Sequence, residues 1–500
     1  MAKKEDVKVL LWLLLYSFVL LFLLSPDSYI RDLWCRCDSA TFFMCGKAWM
    51  CGLTPYVDFV DSKGPLLWLI YGIGYLLSHH SYIGVFWISI VFYAVTLFMA
   101  YKLCRLYADR NVSMVATALL PVFLFLYKFH FEIRAEDFCY TFVMVSLYCT
   151  CRILKYRDSS EHAYLWLSAA MGACTMCVIL IKYNHGAAMM SLMAVVLYMS
   201  IRHRRFKKSF VGMAAGFVIA ALPFVVCFLV YGNLGAFIHE YFLATFHTIE
   251  NFNDSCSASL PLGIKLANIT RKTPLLILLG VIFFCYRYKA GYWLLGCHAC
   301  FMLMVAMGSG GAYYVTIFFP ISILLILLIV DIILPKVKAL HRHPVLCSIV
   351  CVAIVLAVDL PPVNRVYSQS RVTRQDFYTV EYIMSQVKNP KVFSSGIDHG
   401  HGITVNSLPA CRHWIHQCGA TEEMETMRRQ ALRDGVADFV IIIEKYENDI
   451  DEASVLANGY VFYYRAGGFS LYGRPGLRLP LEDFHVSQWD VWLKCNIFGI

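Results

Sequence analysis

Asp58, Asp61 and Lys63 stand within six positions of one another, twenty residues after Asp38 and just before a long apolar run. Two further groups share this character: Glu132, Arg134, Glu136 and Asp137, and then Lys182, Asn184 and His185. Carboxylates can take a proton, and ammonium or guanidinium groups can hold an anion. A charge at the centre of a membrane helix costs ~2.5–3.5 kcal/mol, so these groups are expected at helix ends, at the boundary between membrane and water. A base beside cations at that boundary suits attack by a hydroxyl on a sugar carried by a lipid phosphate. The phosphate gains charge as the glycosidic bond breaks, so Lys or Arg aimed at it stabilises the transition state more than the ground state. The hydroxyl must lose its proton to a carboxylate within hydrogen-bond reach. The lipid tail needs an apolar groove, which membrane helices supply.

The elements that must position these groups are read from apolar runs and the basic residues that flank them. The chain has 500 residues, 59% hydrophobic and 15% charged, where a soluble chain carries roughly a quarter charged residues. Many apolar runs approach or exceed the ~18 residues that span a bilayer. These observations exclude a soluble protein. The net charge of +9 is not a nucleic-acid signal, because Lys and Arg fall in short clusters between apolar runs, as membrane topology requires. The run 9–24 follows Lys3, Lys4 and Lys8 without a small-residue cleavage site, and reads as a retained signal anchor with a cytoplasmic N-terminus. A first external loop is expected over 25–80, with an interfacial helix at 65–78. Further spans are expected near 81–101, 112–127, 138–151, 163–181, 186–200 and 210–231. After a long external loop at 232–272, more follow near 274–286, 291–307, 313–334 and 345–360. Basic clusters at 102–110, 152–157, 202–208, 287–289 and 336–342 all fall on the inner side of this alternation.

From about 361 the pattern changes. An amphipathic helix is predicted over 371–388, a strand at 391–396, a helix at 421–434 and a buried strand at 437–443. A hairpin is predicted over 459–472, turning at Gly467 and Gly468. The expected fold is therefore a polytopic α-helical membrane protein of about eleven spans, residues 1–360, followed by a small extracytoplasmic α/β domain, residues 361–500. Most of the twenty cysteines lie in apolar runs, where Cys behaves as a small hydrophobe. Cys35 with Cys37, or Cys411 with Cys418, are candidates for disulfides on an oxidising side.

Residues 38–71, DSATFFMCGKAWMCGLTPYVDFVDSKGPLLWLIY, resemble the first external loop of bacterial GT-C glycosyltransferases, the family of the protein O-mannosyltransferase-like and aminoarabinose-transferase-like enzymes. The shared pattern is an acidic residue, a helix, then GxxPYxD and DxKxPL. RAED at 134–137, LIKYN at 180–184, GSGGAYY at 308–314 and DGVADFVIII at 434–443 extend the resemblance over nearly the whole chain. It implies Asp38 as catalytic base, Lys63 and Lys182 as contacts to the donor phosphate, and Glu136 and Asp137 as residues that place acceptor or sugar. Asp58, Asp61 and Arg134 are assigned to substrate positioning. Two departures limit the transfer of roles. Ser39 stands where many relatives carry a second acidic residue, and Val315 where relatives often carry a histidine.

Blander roles compete for the same residues. Asp38 has the chemistry of a helix N-cap, Asp58 and Asp61 of turn formers, and Lys63 and Lys182 of snorkelling side chains that meet headgroup phosphates. Arg134 has Glu136 and Asp137 at hand for a structural ion pair. The DHGHG stretch at 398–402 is too weak a pattern for a metal site. The expected activity is inverting transfer of a sugar from a polyprenyl-phosphate donor to a hydroxyl acceptor at the outer face of the cell membrane, with no cofactor, no metal and no nucleic acid. A flippase or transporter of a lipid-linked saccharide is the competing class. It shares the need for cations and a tail groove but has no use for a proton acceptor beside them.

Overall fold

A computed structural model of the chain describes residues 2–25, 27–28, 37–79, 81–123, 133–156, 160–244, 274–289, 291–308, 316–336, 343, 346–347, 349–358, 374–396, 400–403, 405–416, 420–443, 450–466 and 468–477. Glu132, Gly467 of the predicted turn, Asp398 and His399 of the DHGHG stretch, and most of GSGGAYY lie outside the described residues, as do Cys35 and Cys418. The described part falls into two compact units. One gathers residues 1–25, 89–226 and 257–363; the other gathers 26–88, 227–256 and 364–500.

The first unit is helical. Its helices are α1 (Ala2–Leu24), α4 (Ile83–Cys104, from residue 89), α5 (Arg110–Leu119), α6 (Ala135–Lys155), α7 (Glu161–Ile181), α8 (Gly186–Arg202) and α9 (Phe206–Val230, to residue 226). They continue with α11 (Pro274–Tyr288), α12 (Trp293–Gly308) and α13 (Ser322–Ile333). Among the described residues, 6 helices are long and apolar enough to cross a membrane: Lys4–Leu24, Ile83–Cys104, Ala135–Lys155, Glu161–Ile181, Tyr183–Arg202 and Phe206–Val230. Their starts follow from capping chemistry. The Asp109 carboxylate accepts from Val112 N at 2.9 Å, and the Ser160 hydroxyl accepts from Ala163 N at 3.3 Å. Without water between helices, close backbone approach supplies the attraction. Gly212 and Gly216, four positions apart on α9, lie against the carbonyls of Leu165 and Ala169 on α7. Buried hydroxyls pair across the bundle, as Thr96 does with Thr141 at 2.8 Å.

The second unit begins with α2 (Cys37–Met50) and α3 (Pro65–Leu77), joined by a tight loop. Pro65 opens α3, where its missing N–H costs nothing. A methyl group on Gly46 of α2 would stand 2.5 Å from Gly72 N and 2.7 Å from Trp68 O, so only glycine lets these helices touch backbone to backbone. After α9 comes a short helix, α10 (Leu234–Phe237), running into a π-helical turn, Ile238–Ala244.

The rest of this unit is an α/β fold. It contains α14 (Arg374–Ser385), β1 (Lys391–Ser394), β2 (Leu408–Pro409), α15 (Glu422–Arg433), β3 (Phe439–Ile443), α16 (Glu452–Ala457), β4 (Val461–Ala466) and β5 (Phe469–Gly473). The sheet order is β2-β1-β3-β5-β4. β1 is parallel to β2 and β3, whereas β5 is antiparallel to β3 and β4. β3 is apolar at every position because both of its faces are covered. Phe439, Ile441 and Ile443 meet Val380, Ile383 and Met384 of α14. Val440 and Ile442 meet Leu432 of α15 and Val455 of α16 on the other side.

Candidate active site

The first charged group lies on α2 and on the loop to α3. Asp38 is exposed in the first turn of α2, one position inside the helix rather than at its cap. There a carboxylate also gains from the positive end of the helix dipole. One turn further along, on the same helix face, lies Phe42. The Lys63 ammonium sits over the Phe42 ring, 5.5 Å from its centroid. Lys63 and Asp38 therefore share one end and one face of α2. Lys63 Nζ also donates to Ser62 Oγ at 2.7 Å, and its backbone N–H donates to the Asp61 carboxylate at 3.1 Å. Asp61, nearly buried, thus fixes the turn that presents Lys63. Asp58 is exposed, and its carboxylate accepts from Thr54 N at 2.7 Å, closing its own turn.

Between Thr54 and Asp58 the chain is strained. Tyr56 has φ +64, a left-handed conformation rare for an aromatic residue. Its ring lies against Trp68 at 4.7 Å and meets Phe237 at 5.3 Å. Burial, reinforced by the nearby Tyr241 and Asp61, pushes the Tyr56 hydroxyl's pKa well above its ordinary value. Tyr56 is therefore neutral and serves as a wedge.

The second and third charged groups come together in the other unit. Glu136 lies in the first turn of α6, and Lys182 ends α7. The two helices run antiparallel, so these ends coincide. Lys182 Nζ donates to Glu136 Oε1, and His185 Nε2 lies 3.6 Å from the same oxygen. All three side chains are buried. A carboxylate at a helix start and an ammonium at a helix end both complement the helix dipoles. Asp137 acts on its own helix, where its carboxylate accepts from Arg134 N at 2.9 Å and caps α6. Of the two carboxylates that the sequence offers Arg134, Asp137 accepts from its backbone N–H and Glu136 turns to Lys182. With Glu136 beside it, Lys182 acts as a directed hydrogen-bond donor more than as a net positive charge.

No motif in the sequence assigns a role to His185, Lys47, Glu240 or Arg412. Lys47 is wholly buried on α2, and its ammonium donates to the carbonyls of Gly402 at 2.6 Å and Val405 at 3.0 Å. Its signal was present in the sequence: a lone cation in the apolar stretch FFMCGKAWMC, residues 42–51. Arg412 and Glu240 form an ion pair at 2.5 Å across 172 positions, which no local pattern reveals. His401 is buried against the Phe469 ring at 4.4 Å, a packing role.

Comparisons bear on this arrangement. The family described as dolichyl-phosphate-mannose-protein mannosyltransferase matches by its sequence model over residues 62–231. That range takes in Lys63, Arg134, Glu136, Asp137 and Lys182 and starts after Asp38. No curated protein matches the chain by sequence. Among solved structures, ArnT from Cupriavidus metallidurans in the apo state is similar, with 13% identity and a TM-score of 0.65, over 94% of this chain and 98% of that one. The same protein bound to undecaprenyl phosphate is similar at 12% identity and a TM-score of 0.63, over the same shares, 94% and 98%. At such identities the likeness is one of fold.

Proposed function

We propose that this chain is a membrane glycosyltransferase of the GT-C superfamily and moves a sugar from a polyprenyl-phosphate donor to a hydroxyl acceptor at the outer face of the cell membrane. The observation that carries the reading is the exposed carboxylate of Asp38 sharing one end and one face of α2 with the Lys63 ammonium. A base next to an anion-binding cation is what transfer requires and what transport does not. Two similarities support the donor class. A similar fold binds undecaprenyl phosphate, and the matching family is described by a dolichyl-phosphate-linked mannose.

In this reading the acceptor oxygen attacks the anomeric carbon as Asp38 takes its proton. The bond from that carbon to the phosphate oxygen breaks, and the electron pair leaves on the polyprenyl phosphate. Lys63 and Lys182 donate to the phosphate oxygens as their charge grows. One attack from the face opposite the leaving group inverts the anomeric centre. Asp58 and Asp61 shape the loop that presents Lys63. Arg134, Glu136 and Asp137 hold the end of α6 and aim Lys182. The N-terminus lies in the cytoplasm, residues 1–360 form the membrane part, and the α/β fold of residues 361–500 stands outside.

Steady-state kinetics of two variants test the assignment of roles. Asp38→Asn is expected to lower kcat by about 10²–10⁴, the usual contribution of a positioned base, with binding of undecaprenyl phosphate retained. Lys63→Met is expected to weaken binding of that lipid phosphate. Full turnover by Asp38→Asn would remove the base from the mechanism.

A further inference from the structure

The loop from Leu53 to Gly64, which presents Lys63, is held at two places by parts of the chain far away in sequence. At its start, the Asn233 amide donates to Pro55 O at 2.7 Å, and Phe237 and Tyr241 pack against Tyr56. At its far side, Val60 N donates to the backbone carbonyl of Arg412 at 3.1 Å. The two holders are themselves joined, because the Arg412 guanidinium pairs with Glu240 at 2.5 Å. Glu240 stands next to Tyr241 in the π-helical turn, a distortion frequent at functional sites. His239 also faces the Glu240 carboxylate, at 2.9 Å. A closed ring results: Val60, Arg412, Glu240, Tyr241, Tyr56 and back along the loop. All of its members belong to one compact unit.

We propose that Arg412, an α/β-fold residue between β2 and α15, is a positioning residue for Lys63. Its ion pair with Glu240 closes the ring that fixes the loop. This deepens the proposed function and rests on Lys63 meeting the donor phosphate. The α/β fold is then part of the donor site's frame. Two further ties back it: Lys47 to Gly402 and Val405, and Tyr75 OH to Asn406 Oδ1 at 3.3 Å. Without the Arg412–Glu240 pair the two holders of the loop are independent of one another; with it they are tied together.

The experiment compares the full chain with Arg412→Ala, Glu240→Gln and the exchanged pair Arg412→Glu with Glu240→Arg. Hydrogen–deuterium exchange is followed over residues 54–64, and donor KM and kcat are measured in parallel. Each single variant is expected to speed exchange in this loop, raise donor KM about tenfold, a coupling typical of residues in one network, and lower kcat as well, because a misplaced cation no longer meets the growing phosphate charge. The exchanged pair restores exchange and kinetics together. A purely structural role would lower the melting temperature and leave KM and kcat of the folded protein at their native values. Exchange unchanged across 54–64 in both single variants, or a KM that stays at the native value while the loop loosens, overturns the proposal. If the native chain shows no transfer at all, the functional reading fails, and the exchange data alone still decide whether Arg412 fixes the loop.

Discussion

The nearness of Asp38 and Lys63 at one end of α2 was readable because short motifs carry both residues and only one helix and one loop separate them. The pairing of Glu136 with Lys182 was not, since 46 positions separate them and either had a nearer candidate. What joins them is the antiparallel course of α6 and α7. Removing one partner of a buried pair leaves an uncompensated charge and costs about 3–5 kcal/mol, whereas replacing both with apolar groups is often neutral. Lys182→Met is therefore expected to melt well below the native protein in detergent. Lys182→Met combined with Glu136→Leu should regain most of that loss yet stay inactive, because the proposed donor to the phosphate is gone. Equal melting temperatures for the single and double variants would show that the pair is not closed in the folded protein.

At the scale of elements, apolar runs flanked by basic residues located the long helices of the bundle, and local patterns located β1, β3 and the hairpin of β4 and β5, but neither β2 nor α16. The all-apolar β3 was readable as a buried strand because its neighbours cover both faces. Close approaches were harder to see, because a glycine in an apolar run carries no mark of what it faces. Gly46 is the example: it brings α2, which carries Asp38, against α3, which starts two residues after Lys63. Its neighbours are backbone atoms that cannot yield. Gly46→Ala is expected to destabilise by about 1–3 kcal/mol, as overpacking does, and to lower transfer by shifting the two helices apart. Gly235→Ala meets nothing within 4 Å and should leave both unchanged. Thermal melts and transfer rates of the two variants make the comparison.

For the whole molecule, the least legible feature is that residues 26–88 and 227–256 fold into one unit with residues 364–500. Such closure depends on contacts like Lys47 to Gly402 that span hundreds of positions. One consequence is a pH dependence. Burial, with Arg412 adding to it, lowers the pKa of His413 from the ordinary 6.5 to about 4. Between those values the unfolded chain binds a proton that the fold does not, so stability falls as pH drops from 6.5 towards 4. Burial alone would raise the Glu425 pKa, but the His416 hydrogen bond and the Arg428 charge outweigh it and hold it below 4.5, so its loss comes at lower pH. The melting temperature is expected to drop between pH 7 and pH 5, and His413→Gln to flatten that drop. The central claim, that a base and a cation on the first external loop transfer a sugar from a lipid phosphate, has a more direct test. The purified chain and Asp38→Asn are each given a panel of polyprenyl-phosphate sugars with an envelope extract as acceptor, and release of the lipid phosphate is measured. Release by the native chain from at least one donor, lost in Asp38→Asn, is the predicted result. Equal release by both, or none from any donor, would contradict it.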